Sequence, residues 1–385
     1  MTHALDTHIL TSLLGRQERD LLSPAERRAF AGQRVLVTGA GGSIGSELAR
    51  QLAACQPERL ILVDNCELNL FLVEQELADA FPDTILEPRL IDITRGSTLL
   101  AAFRGTRPHV VYHAAAYKHI TMTERDVCAA VRTNVLGTLN VVRAACAVGS
   151  RMVLISSDKA SAPQSVMGTT KRVAEVVTLA ATMPSFRPLA VRFGNVLGSS
   201  GSIVSVMLDR IHAGRPVEIT DPDARRFFMS AREAVSLVLA ADLIGTGGEI
   251  YWLDMGAPTR IGDLVNRLFA LTAAAGLPTV PVRLVGLRPG EKLHEELTVQ
   301  DLQLARTRHR RIWAARQPPI DVASLARILR ALADDVRRTD PMAALADLCA
   351  AVPGFRPSAE ARRIAARMML DSSVGGEADD QAMIA

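Results

Sequence analysis

Aromatic side chains are scarce: Phe, Tyr and Trp make up 4% of the 385 residues. Stacking platforms for unpaired bases are therefore not expected. Lys+Arg 44 against Asp+Glu 41 leaves little excess charge with which to hold a nucleic acid or an anionic membrane. The five cysteines, at 55, 66, 128, 146 and 349, include no Cys-x-x-Cys pair. That argues against a disulfide framework and a structural zinc site, and points to a reducing cytoplasm. No apolar run is long enough to span a bilayer, and MTHALDTHIL lacks the basic start and apolar core of a secretory signal. The expectation is a soluble cytoplasmic protein with no membrane insertion. His119 has no partner set suggesting a metal, so none is expected.

What the chain has instead is aliphatic bulk. Hydrophobic residues reach 48%, material suited to helices packed on a buried parallel sheet. Residues 1–32 read as a helical leader, with Leu10, Leu13 and Leu14 on one face and Ser23-Pro24 as N-cap and first helical residue. From Arg34, short β-branched runs alternate with helical spacing. Strands are expected at 35–38, 60–64, 110–115, 152–156 and 189–193, and helices at 44–54, 68–80, 129–148 and 165–181. This alternation predicts an α/β fold: a Rossmann-type doubly wound parallel sheet over 33–194 with a smaller C-terminal substrate-binding lobe. The lobe is placed mainly in 195–355, with some segments free to return to the sheet domain. A partly disordered tail is expected over 356–385.

The first strand runs directly into TGAGGSIG, Thr38 to Gly45, and then into a helix. Gly39 permits the tight turn, Gly42 lets backbone approach a pyrophosphate, and Gly45 lets helix pack on strand. Ser43 and Ile44 open the helix, whose unpaired N–H groups and positive dipole end suit phosphates. Asp64 closes the second strand, 19 residues beyond Gly45. A carboxylate there accepts from ribose hydroxyls and repels a 2′-phosphate, so NAD is expected over NADP. Asp92 and Ile93 are expected to bracket the adenine. Ala114, Ala115 and Ala116 supply small side chains where the chain passes the dinucleotide.

The segment SSDKASAPQSVMGTTKRVAE, 156–175, places Lys171 four residues after Met167 on one helical face. Short-chain dehydrogenases/reductases carry a Tyr-x-x-x-Lys pair there, with a Ser or Thr near the preceding strand end, the place of Ser157. The tyrosine moves the hydroxyl proton, and the lysine holds the nicotinamide ribose. Met167 cannot carry a proton, so an ordinary alcohol dehydrogenase is not expected.

With these residues the chain resembles the bacterial UDP-N-acetylglucosamine 4,6-dehydratases of polysaccharide biosynthesis, in the extended branch of that superfamily. The segments that carry the likeness are TGAGGSIGSELARQL, HAAAYKHI, NVLGTLN, SSDKASAPQSVMGTTKR, VRFGNVLGSSGSIV, ARRFFMSAREAVSLVL and GLRPGEKLHEEL, across 33–297. One subgroup of that family carries methionine at the tyrosine position. Many members carry membrane helices ahead of the catalytic part, and the LLGR leader resembles the segment that follows them.

The resemblance implies a hydride lent from C4 to NAD, a 4-ketone that acidifies C5–H, loss of water across C5 and C6, and return of the hydride to C6. It implies Asp158 as acid toward the C6 hydroxyl and Lys159 as base at C5. Lys159 fits that role with its pKa lowered by burial or by Lys171. Lys159, Asp158 and water all stay open as acceptors of the C4 hydroxyl proton. Lys171 would hold the nicotinamide ribose, and Asn134 in NVLGTLN would join the cofactor site. Arg288 is the first candidate for a bidentate hold on the UDP pyrophosphate and Arg226 the second. Asn195, Glu291 and Lys118 complete the expected substrate contacts, in a homo-oligomer. A nucleotide-sugar 4-epimerase and a non-catalytic NAD-sensing module are the competing readings.

Overall fold

The computed structural model describes residues 12–17, 22–295 and 304–382. Strands β1 (Arg34–Thr38), β2 (Arg59–Asp64), β3 (Leu86–Leu90), β4 (Val110–His113), β5 (Arg151–Ile155) and β6 (Pro188–Arg192) come first. Short strands β7 (Asn195–Leu197), β8 (Val217–Ile219), β9 (Arg225–Arg226) and β10 (Phe228–Ser230) follow. The chain then forms β11 (Glu249–Leu253), β12 (Thr259–Arg260), β13 (Val282–Leu284), β14 (Ala305–Arg306) and β15 (Ile312–Arg316).

Nine of these strands form one sheet in the order β3-β2-β1-β4-β5-β6-β11-β15-β14. The first seven in that order run parallel; β15 runs antiparallel to β11, and β14 antiparallel to β15. The order 3-2-1-4-5-6 is that of a dinucleotide-binding Rossmann sheet, with its switch point between β1 and β4. Helices cover both faces, so β4 and β6 are buried along their whole length, and near-continuous apolar strands result. β3 (LEPRL) is a half-exposed edge strand that, among the described strands, pairs only with β2 and tolerates Pro88.

On one face, Leu48 and Leu52 of the helix Ser43–Ala53 pack with Val235 and Leu239 of the helix Ala231–Ile244. On the other, Phe103, Val141 and Val173 pack with Leu332, Leu345, Leu348 and Phe355. Residues 322–355 thus join the core of the sheet domain, as one of the segments of 195–355 left free to return to it. A helix, Ala359–Ala382, occupies most of the segment expected to be a partly disordered tail.

The small lobe has a core of its own, built from residues such as Val204, Ile211, Ile219 and Leu264. Leu13 from the leader is buried in it, while Leu10 lies outside the described residues. Arg16 pairs with the buried carboxylate of Glu233, so the LLGR segment is tied to the helix Ala231–Ile244. Ser23 caps Pro24–Arg28 in a reciprocal capping box with Glu26. No described helix is long and apolar enough to cross a membrane.

Candidate active site

A cleft of about 870 Å³ opens beyond the carboxyl ends of β1, β4 and β5, lined by the glycine loop, the 114–119 loop, the Ser156–Lys159 turn and the 193–203 segment. Gly39 adopts φ +67°, and a Cβ on it would stand 2.7 Å from Ala115 N. A Cβ on Gly45 would stand 1.9 Å from the Gly39 carbonyl oxygen, so helix and turn meet only through glycine. Gly41 is equally constrained, with Asn69 Cβ 2.5 Å from its missing Cβ. Gly42 caps the helix Ser43–Ala53 without a side-chain hydrogen bond, which leaves the first-turn N–H groups unclaimed by a capping side chain. Ser43 Oγ accepts from Ser200 N (2.9 Å), joining the glycine loop to the small lobe across the cleft mouth. Ile44, Ala114 and Ala116 line the cleft, while Ala115 packs beneath Gly39.

Four expected cofactor residues, Asp64, Asp92, Ile93 and Asn134, act from outside the lining. Asp64 accepts from Gly41 N and Cys66 N, both at 2.9 Å, so its carboxylate shapes the glycine loop. Asp92 caps its own turn through Thr94 N (2.8 Å), and buried Ile93 packs against Gly137. Asn134 is buried. Its amide accepts from Tyr117 N (2.8 Å) and donates to Tyr117 O and Thr170 Oγ1 (both 3.0 Å). It therefore braces the 114–118 loop against the helix Val166–Ala180, and its polar atoms are used up in doing so.

That helix carries the next group. Ser165 caps it, and Gly168 lets it pass beneath the Ser156–Lys159 turn, since a Cβ there would meet Lys159 O at 2.5 Å. Met167 is buried at the cleft wall. Lys171 is buried too and donates to Ile155 O (2.6 Å). Burial lowers its pKa to about 8, against the pull of Glu175. Below it, Glu175 is held by Arg192 and by Ser156 Oγ (2.6 Å) in a wholly buried network.

A second cavity, of about 290 Å³, adjoins the first, and Lys118, His119, Lys159 and Asn195 line both. Here Lys159 Nζ lies 3.1 Å from Asp158 Oδ1 and 2.8 Å from Glu295 Oε1. Ser157 Oγ also donates to Asp158 Oδ1 (2.8 Å), and Asn195 Nδ2 donates to Glu295 Oε2 (2.9 Å). The side chains of Asp158 and Glu295 are 1% and 7% exposed, that of Lys159 24%.

The expected lowering of the Lys159 pKa is overturned. Burial does press it down, but Asp158 and Glu295 together hold the ammonium above its ordinary range. Burial presses Asp158 up, yet Lys159 and Ser157 keep it below the usual carboxylate value. Glu295 stands above that value, raised by burial and by Asp158 against Lys159 and Arg226. Sequence reasoning missed Glu295. It lies in the quoted GLRPGEKLHEEL, but nothing in the spacing joins it to Asp158.

The substrate candidates divide. Arg226 spends its guanidinium on Leu293 O (2.9 Å), Lys292 O (2.6 Å) and Glu295, so it straps the Lys292–Glu295 segment in place. Arg288 is exposed at the second cavity, and its guanidinium makes no hydrogen bond among the described residues. Glu291 Oε2 accepts from Arg288 N (3.2 Å), which fixes the turn that presents Arg288.

Fold and cleft define a dinucleotide-binding protein of the short-chain dehydrogenase/reductase type. The chain belongs to the polysaccharide biosynthesis protein family, whose pattern matches residues 35–317. It is 40% identical over 289 residues to the capsular polysaccharide biosynthesis protein CapD of Staphylococcus aureus, covering 74% of this chain and 48% of that protein. The chain therefore spans about half the length of such relatives. It is 30% identical to a UDP-N-acetylglucosamine 4,6-dehydratase (inverting) of Campylobacter jejuni, covering 71% of this chain and 79% of that one. It is 31% identical to a UDP-glucose 4-epimerase of Rickettsia canadensis, covering 70% and 78%. Among solved structures, Pen from Bacillus thuringiensis superposes with a TM-score of 0.70 at 29% identity, covering 75% and 89%.

Proposed function

We propose that the protein is an NAD-dependent nucleotide-sugar 4,6-dehydratase, a lyase that converts UDP-N-acetylglucosamine to a UDP-4-keto-6-deoxy sugar for bacterial polysaccharide biosynthesis. The observation that carries this reading is the Asp158–Lys159 pair at the junction of two cavities, one of about 870 Å³ lined by the glycine loop and the other adjoining it. An epimerase needs no acid and base at C5 and C6, and a sensor needs no second cavity.

The residues present fit NAD. Gly41, Gly42, Ser43 and Ile44 would receive the pyrophosphate at the helix start, and Lys171 would hold the nicotinamide ribose. Bound there, NAD would supply a reversible hydride acceptor for the sugar. The protein's part is proton traffic. Lys159 takes the C5 proton once a C4 ketone has acidified it, and Asp158 protonates the departing C6 hydroxyl. Arg288 reaches for the UDP pyrophosphate from the small-lobe side of the second cavity.

Incubation with NAD and UDP-N-acetylglucosamine, read by product mass, tests this. Loss of one water supports dehydration. An unchanged mass with altered sugar configuration would make the protein an epimerase, and no turnover would leave an NAD-binding module. Lys159→Ala is expected to stop water loss while NAD affinity stays nearly unchanged.

A further inference from the structure

The dehydration reading needs a neutral amine at Lys159, and the site holds an ammonium between two carboxylates. Before Lys159 can accept a C5 proton, its own proton must go elsewhere. Glu295 Oε1 is 2.8 Å away and nearly enclosed. Its other oxygen is fixed by Asn195 Nδ2, and Arg226 Nε lies 3.4 Å from Oε1. Asp158 lies within hydrogen-bonding reach of Glu295, and Asp158 Oδ2 is enclosed without a hydrogen-bond partner among the described residues. Two carboxyl groups crowded together in a nearly dry site do not both ionise readily, and such a pair is a natural place to store one proton.

We propose that Glu295 is the proton relay between Lys159 and Asp158, a positioning residue that lets one site deliver both the base and the acid. In the first step the Lys159 ammonium gives a proton to the Glu295 carboxylate, leaving an amine and a carboxylic acid. Glu295 passes that proton to Asp158. The amine then takes the C5 proton, the C5–H electron pair moves into the C5–C6 bond, and the C6–O bond breaks. Asp158 protonates the departing oxygen, which leaves as water. Lys159 is again an ammonium and both carboxyls are again ionised, so no proton is gained or lost by the protein. The groups facing Glu295 are Lys159, Asp158 and Arg226, with Asn195 as the neutral partner.

Glu295→Gln keeps the shape and an acceptor for Asn195 but cannot store a proton. In the full chain with NAD and UDP-N-acetylglucosamine, it is expected to lower kcat for water loss about 100-fold or more. KM is expected to stay within about threefold, and one ionisation should disappear from the pH profile of kcat. Glu295→Asp should recover part of the rate and restore that ionisation. Turnover within about threefold of the parent by Glu295→Gln, with an unchanged profile, would overturn the relay. If Glu295→Gln fails to fold, an unshifted pH profile in Glu295→Asp would overturn it.

A second readout needs no turnover. Infrared difference spectra of the substrate-free protein across pH should contain a protonated-carboxyl band that Glu295→Gln removes, and a band that survives refutes proton storage at Glu295. Failure of the parent to lose water from the sugar sinks the dehydratase reading, whereas the infrared result bears on Glu295 alone.

Discussion

Lys171 Nζ donates to the carbonyl oxygen of Ile155 at 2.6 Å, and that bond fixes the helix Val166–Ala180 against the end of β5. The amine is enclosed, and burial lowers its pKa to about 8 from an ordinary 10.5. Between those values the unfolded chain binds more protons than the folded one. The cost of burying this charge is therefore full below pH 8 and relieved as pH rises toward 10.5. Against Lys171→Met, the parent should gain about 2–3 kcal/mol of relative stability across that window, read from urea midpoints at pH 7 and pH 10.5. A difference that stays flat with pH would rule out a lowered amine.

Gly45 tests the close approach of turn and helix. Alanine there must move the Gly39 carbonyl or the helix start, because its methyl would stand 1.9 Å from that oxygen. Gly45→Ala is expected to cost about 3 kcal/mol or more in a denaturant melt and to abolish detectable NAD binding in a fluorescence titration.

Asp64 is expected to bear on cofactor choice through the glycine loop it braces as well as through its charge. Asp64→Ala removes the acceptor for Gly41 N and Cys66 N. NAD affinity should fall about tenfold or more, and the preference over NADP should shrink, measured by paired titrations with the two dinucleotides. An unchanged preference would separate Asp64 from ribose recognition.

Arg192 and Glu175 are both wholly enclosed, and Arg192 also stacks over Trp252 at 4.7 Å. Arg192→Met leaves the buried Glu175 carboxylate only Arg172 (3.2 Å) and Ser156 (2.6 Å) and should cost about 3 kcal/mol at neutral pH. With Arg192 gone and only the partly exposed Arg172 left as a cation, burial is expected to make Glu175 hold its proton to higher pH than in the unfolded chain. The deficit should then be smaller near pH 4.5 and grow as pH rises toward 8. Adding Glu175→Leu should recover much of the loss, as a double-mutant cycle would record.

Much of the sheet domain was legible in the sequence, because β1, β2 and β4–β6 are covered on both faces and are apolar over most of their length. β3 is an edge strand whose Glu87, Pro88 and Arg89 break the apolar pattern. The glycine loop was legible because its backbone geometry admits few residues. The run predicted as one helix over 129–148 is interrupted by a π-helical stretch, Val131–Gly137, which contains Asn134. A period count does not register one extra residue per turn. Glu295 was invisible for a different reason. Its role depends on a loop returning from the small lobe to Asp158, and no local spacing encodes that return. The ionisation of Lys159 was misjudged for the same cause: burial alone favours the free amine, and Asp158 and Glu295 together reverse the sign.

The family pattern ends at residue 317, but the hydrophobic interior does not. Leu332, Leu345, Leu348 and Phe355 close over the helices that carry Val141 and Val173, and Glu124 reaches Ser358 Oγ while also holding Val166 N. Anyone trimming an expression clone to the recognised boundary would strip the roof from one flank of the sheet domain. The shortened product should clump or resist purification, and its helix bearing Lys171 would lose the outer tie that steadies its start.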